Sequence, residues 1–87
     1  MIALFTSNGC STCKHVIRDI PDSWASQIKV LRVEFDREAK YFRVYDGDKP
    51  LEGRAPIYDV PTLCFFDTGE VYAGYQKIIE RLNNGSR

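Results

Sequence analysis

The sequence is poor in the residues that metal and disulfide scaffolds need. It has three cysteines, Cys10, Cys13 and Cys64, and one histidine, His15. Three cysteines are too few for a disulfide-dense secreted mini-domain, and an odd number leaves one unpaired. There is no second Cys-x-x-Cys and no His-x-x-x-His. Excess charge is also lacking, because twelve basic and twelve acidic side chains cancel. Without net positive charge or a Lys/Arg block, nothing electrostatic points to nucleic acid or to an anionic membrane surface. No apolar run approaches the ~20 residues that span a bilayer. The N-terminus lacks the basic region of a signal peptide. A reducing cytoplasm is the expected location, and one domain over residues 1–87 is the expected organisation.

Hydrophobic residues make up 44% of the chain and aromatic residues 13%, enough to pack a modest core. Ile2 to Thr6 is short, apolar and bounded by Ser-Asn-Gly, the pattern of a buried strand ending in a turn. Cys13, Val16, Ile17 and Ile20 then fall on one face of a helix, which Pro21 ends near Asp19. Trp24 is expected to pack at the far end of this helix. Ile28 to Asp36 is predicted as a second strand, with Leu31, Val33 and Phe35 on one face and Ile28 and Val30 on the other. Strand, helix and strand in this order imply a parallel pair joined by a crossover.

Arg37 to Gly53 admits two readings. Arg37 to Tyr45 suits one short helix, while "YFRVY" before Asp46-Gly47 equally suits a strand entering a turn. Asp46 to Pro50 has the composition of a loop. Beyond it, Thr62 to Phe66 is an apolar strand, Asp67 to Glu70 a hairpin turn, and Val71 to Ala73 the antiparallel return. Gly74 breaks that strand. Tyr75, Ile78, Ile79 and Leu82 form a second helical stripe, stopped by Asn83-Asn84-Gly85.

The stretch Asn8 to Lys14, "NGCSTCK", carries the chemistry. Haem attachment requires Cys-x-x-Cys-His, and here lysine follows the second cysteine. Zinc requires four ligands at ~2.0–2.3 Å. Cys10 and Cys13 supply two, and Cys64 or His15 would have to add others. Cys64 lies in an apolar strand, where a small buried thiol is the common role. A structural disulfide across so short a loop removes little chain entropy. Redox chemistry fits best. Cys10 falls at the start of a helix, where unpaired amides and the dipole stabilise a thiolate. Cys13 lies one turn further on, on the inward face. Cys10 is then the attacking thiol and Cys13 the resolving one. Ser11 and Thr12 offer donors to sulfur, and Lys14 adds a nearby positive charge.

With these residues in place, the chain resembles the thioredoxin superfamily in its short, glutaredoxin-like form. Three segments carry the resemblance: "CSTCK" after the first strand, "DVPT" at Asp59 to Thr62, and "FFDTGEVYAGY" before a terminal helix. The resemblance implies an α/β thioredoxin fold, in a minimal β-α-β-(α)-β-β-α form with a small mixed four-stranded sheet and helices on its faces. It implies a cis Pro61 lying against the cysteine pair, with Val60, Pro61, Thr62 and Gly74 meeting the substrate. Val60 would pair its backbone with an extended substrate segment. Tyr58 and Tyr75 either line the rim of that site or simply pack.

The implied activity is that of a monomeric dithiol–disulfide oxidoreductase acting on disulfide-containing proteins. No bound cofactor is expected beyond the redox-active Cys10–Cys13 disulfide. Electrons would come from a thioredoxin reductase-type enzyme or from glutathione. Some short redoxins of this kind reduce ribonucleotide reductase. The alternative is a non-catalytic interaction module with a vestigial or zinc-binding cysteine pair.

Overall fold

The computed structural model describes residues 1–55, 57 and 59–84, with the backbone alone at Arg54. Tyr58, expected at the rim of the site, and Gly85, expected to stop the last helix, lie outside the described residues. β1 (Ile2–Thr6) is followed by α1 (Ser11–Asp19), the short α2 (Asp22–Ala25) and β2 (Ile28–Asp36). β1 and β2 pair in parallel, with Phe5 opposite Leu31. Pro21 ends α1 as expected, because it has no amide to continue the helix and stands as N-cap of α2. The chain continues through β3 (Tyr41–Asp46), β4 (Lys49–Arg54), β5 (Thr62–Phe65), β6 (Glu70–Ala73) and α3 (Tyr75–Asn84).

All strands belong to one six-stranded sheet in the order β4-β3-β2-β1-β5-β6. This corrects the expected four-stranded thioredoxin-type sheet. The difference lies in residues 37–54, which form a β-hairpin and no helix. Asp36 decides the matter locally. Its Oδ1 accepts the amides of Glu38 and Ala39, both at 3.0 Å, and its carbonyl accepts the Lys40 amide at 2.7 Å. The chain reverses at Lys40, whose φ of 61° lies in the left-handed region. β3 then returns antiparallel along β2, setting Phe42 opposite Phe35 and Val44 opposite Val33. The two Phe rings meet edge to face at 5.3 Å. The expected loop at Asp46–Pro50 shortens to a turn at Gly47-Asp48, with Asp46 opposite Lys49. Pro50 is tolerated because β4 is an edge strand.

The sheet separates two apolar clusters. On one face, Leu4, Ile28, Leu63 and Phe65 pack with Val16 of α1 and with Ile78 and Leu82 of α3. Trp24 closes the end of this cluster. Its ring meets Phe65 edge-on at 5.9 Å, and its indole N–H donates to the Leu82 carbonyl at 2.9 Å. On the other face, Ala3, Phe5, Leu31, Val33, Val44 and Cys64 are covered by Ala55, Ile57 and Val60. The expectation of helices on both faces is therefore also corrected. Ala55, Ile57 and Val60, between β4 and β5, cover the second face. Alternation along β2 is only partly used for burial. Ile28, Leu31 and Val33 are buried, but Val30 and Phe35 are exposed, as is Ile17 on α1. Among the described residues, no helix is long and apolar enough to cross a membrane.

Candidate functional site

β1 delivers the chain to the cysteine pair. Its last residue, Thr6, is buried and donates its hydroxyl to the Leu31 carbonyl at 3.1 Å, which fixes the strand end. A turn follows, with the Cys10 amide donating to the Ser7 carbonyl at 3.4 Å and Gly9 at φ 77°. Only glycine adopts that backbone without strain. Cys10 is the N-cap of α1, with φ −88° and ψ 100°. Its sulfur accepts the Cys13 amide at 3.1 Å, doing at the helix start what a serine or aspartate oxygen usually does.

Cys10 and Cys13 are joined as a disulfide with their Cα atoms 5.3 Å apart. The two sulfurs have unequal surroundings: Cys13 is 2% exposed, while Cys10 is only half-buried. Ser11, Thr12, Lys14 and His15 are exposed. The amide that reaches the Cys10 sulfur is that of Cys13. Cys64 is a buried free thiol on the face away from the helices, and burial raises its pKa. Among the described residues, no group of three or more His, Cys, Asp or Glu could hold a metal ion.

Strand pairing brings the distant segments to the same end of the sheet. Thr62 stands opposite Phe5 of β1 and opposite Ala73 of β6. The end of β1, the start of β5 and the end of β6 therefore coincide. Cys10, Pro61 and Gly74 leave the sheet from this one end. The Val60–Pro61 peptide bond is cis, and Pro61 is fully buried. Thr62 is 3% exposed, and its hydroxyl donates to the Asp59 carbonyl at 2.7 Å. It braces the loop from within. The Gly74 amide donates to the Pro61 carbonyl at 3.0 Å, tying that loop to the entry of α3.

Gly74 has φ 92°, and no atom lies within 4 Å of the position a Cβ would take. A substitution there meets open space but a strained backbone. Gly74→Ala is expected to lower unfolding stability by about 1–2 kcal/mol, measured by urea titration. An unchanged midpoint would show that the left-handed backbone is not needed.

Two residues outside the expected set support the site. Asp19, at the end of α1, accepts the Tyr75 hydroxyl at 2.5 Å and pairs with Arg18 at 2.9 Å. A carboxylate at a helix C-terminus is electrostatically unfavourable by itself. Here the Arg18 hydrogen bond, and after it that of Tyr75, holds the Asp19 carboxyl well below the usual carboxylate range. Tyr75 thus links α1 to the first residue of α3. A depressed folded-state pKa gives stability that is fully present above the ordinary carboxylate range and is lost as pH falls below it. Asp19→Asn is expected to lower the thermal midpoint at neutral pH and to flatten its decline between about pH 5 and pH 2. An unaltered acid limb in the variant would contradict this. Asp36, lowered by the Ala39 amide and then by Arg43, keeps part of the acid sensitivity.

The second residue is Asp59, whose Oδ1 accepts the amide of Val60 at 2.8 Å. An Asp ahead of Val-Pro is a recognisable signal, since short polar side chains cap neighbouring amides in turns. The partnership of Asp19 with Tyr75 has no such local sign, because 56 positions separate them.

The arrangement is a half-exposed sulfur at a helix start, bonded to a buried one, at the same end of the sheet as a loop ordered by three hydrogen bonds. Compared with family models, curated proteins and solved structures, the chain matches no family, no curated protein and no solved structure.

Proposed function

We propose that the chain is a dithiol–disulfide oxidoreductase that reduces disulfides in proteins, with Cys10 as nucleophile and Cys13 as resolving thiol. The reading rests on one observation: two sulfurs within bonding distance, the first half-exposed at the N-cap of α1 and the second buried beneath it. The motif resemblance of "CSTCK" and "DVPT" to thioredoxin-superfamily redoxins supports the same chemistry, here on a six-stranded sheet.

The Cys13 amide donates to the Cys10 sulfur in the disulfide, and that sulfur stands at the positive end of α1; kept in the reduced protein, both favour a Cys10 thiolate. It attacks one sulfur of the substrate disulfide. A Cys10–substrate disulfide forms and the first substrate thiolate leaves. The Cys13 thiolate then attacks the Cys10 sulfur, closes the Cys10–Cys13 disulfide and expels the second substrate thiolate. Two electrons pass to the substrate, and water supplies the two protons. A thioredoxin reductase-type enzyme or glutathione returns the pair to the dithiol. Such a cycle belongs in a reducing cytoplasm. Ribonucleotide reductase is the substrate suggested by the motif resemblance.

The test is insulin reduction followed by turbidity, with the protein kept reduced by dithiothreitol. Reduction well above the dithiothreitol background is expected. Background rates, together with zinc bound one to one and lost on mutating either cysteine, would favour a metal-holding interaction module. Offering the oxidised protein NADPH with a thioredoxin reductase, or glutathione with its reductase, identifies the electron donor.

A further inference from the structure

Around the Val60–Pro61 bond, the loop before β5 already uses several of its backbone hydrogen-bonding groups internally. The Asp59 carbonyl accepts the Thr62 hydroxyl, and the Pro61 carbonyl accepts the Gly74 amide. Proline itself has no N–H. The Val60 amide donates to Asp59 Oδ1 at 2.8 Å. Among the described residues, no hydrogen bond uses the Val60 carbonyl. Strand addition at Val60 requires both of its groups, since an extended partner exchanges an N–H and a C=O with one residue. The acceptor is on offer, but the donor is taken by the side chain next to it.

We propose that Asp59 is a specificity-determining residue that competes with the substrate backbone for the Val60 amide. This rests on the disulfide-reductase reading above. Asp59 is exposed, so a displaced carboxylate returns to water without a burial cost. An extended peptide carbonyl can therefore replace it, but only by outcompeting a charge-assisted bond that is already formed. Disulfides embedded in an extended segment pass this competition. Small disulfides that reach Cys10 without pairing to Val60 do not meet it. Asp59 thus sets how strongly peptide substrates are held, while the sulfur chemistry stays with Cys10 and Cys13.

The experiment compares wild type, Asp59→Ala and Asp59→Asn on two substrates: an extended cystine-bridged peptide and bis(2-hydroxyethyl) disulfide. Asp59→Ala frees the amide. It is expected to lower KM for the peptide about three- to tenfold, the factor of one net hydrogen bond, with kcat unchanged. Asp59→Asn keeps an Oδ1 acceptor without the charge and is expected to fall between the two. The small disulfide reports any change in the site that does not act through Val60, so the peptide KM is read relative to it. Thermal melts followed by circular dichroism confirm that the variants are folded. A peptide KM that is unchanged or raised in Asp59→Ala overturns the proposal, as does an equal shift for both substrates. If wild type reduces neither substrate, the oxidoreductase reading fails, and this inference with it.

Discussion

Serine at position 13 is expected to leave the protein covalently attached to its substrate. The half-exposed Cys10 can still attack, but no second thiol remains beneath it to close the ring. A Cys10–substrate disulfide should accumulate at one substrate half per protein, visible by intact mass and released by dithiothreitol. Serine at position 10 is expected to bring reduction down to the uncatalysed rate, because Cys13 is 2% exposed and cannot meet a protein disulfide. The two variants therefore separate the roles, which a simple loss of activity would not. Trapping through Cys13 in the Cys10→Ser variant would reverse the assignment. The N-cap geometry argues against that reversal. The Cys13 amide is directed at the Cys10 sulfur, so it is Cys10 whose thiolate gains a donor.

The largest loss of stability is expected at Leu63. This residue is wholly buried in β5, between β1 and β6, and faces the cluster that holds α1 and α3 to the sheet. Leu63→Ala removes apolar atoms and leaves a cavity in a position where strands on both sides resist collapse. The expected cost is about 3–5 kcal/mol. A chain of this length has about 4–13 kcal/mol in total, so the variant would sit close to unfolding at ambient temperature. Guanidinium denaturation followed by tryptophan fluorescence measures it, since Trp24 packs in the same cluster. A cost below about 1 kcal/mol would mean that the helix-side cluster repacks freely. Leu63 follows Pro61 and Thr62, so loosening β5 also loosens the loop at the end of the sheet from which the chain runs to Cys10.

Local chemistry made some elements legible in the sequence. α1 could be bounded because Pro21 forbids its continuation, and the turn before it could be placed because glycine precedes the cysteine pair. The β5–β6 hairpin was legible from Asp67-Thr68-Gly69-Glu70 between apolar runs. The β3–β4 hairpin was not, because Tyr41, Phe42, Val44 and Tyr45 satisfy helical and extended spacing equally well. Distant partners settle it. Phe35 and Val33 receive Phe42 and Val44 across the sheet, and Asp36 turns the chain. The exposure of Ile17, Val30 and Phe35 was hidden for a related reason. Periodicity tells which face a residue occupies, and only the full fold tells whether anything covers that face. At the site, the cysteines announce themselves by spacing, whereas Pro61 is expected there only through the resemblance of its segment. The bond from the Val60 amide to Asp59, on which the proposed competition rests, becomes visible only in the folded loop.

The most direct test counts thiols in a single turnover. Fully reduced protein, with all three cysteines free, is mixed without oxygen with one equivalent of a cystine-bridged peptide, then alkylated and weighed. The expected outcome is two thiols lost from the protein, mapped to Cys10 and Cys13, two gained by the peptide, and Cys64 still alkylated. Retention of all protein thiols with the peptide still oxidised, or consumption of Cys64 in place of either partner, would contradict the account.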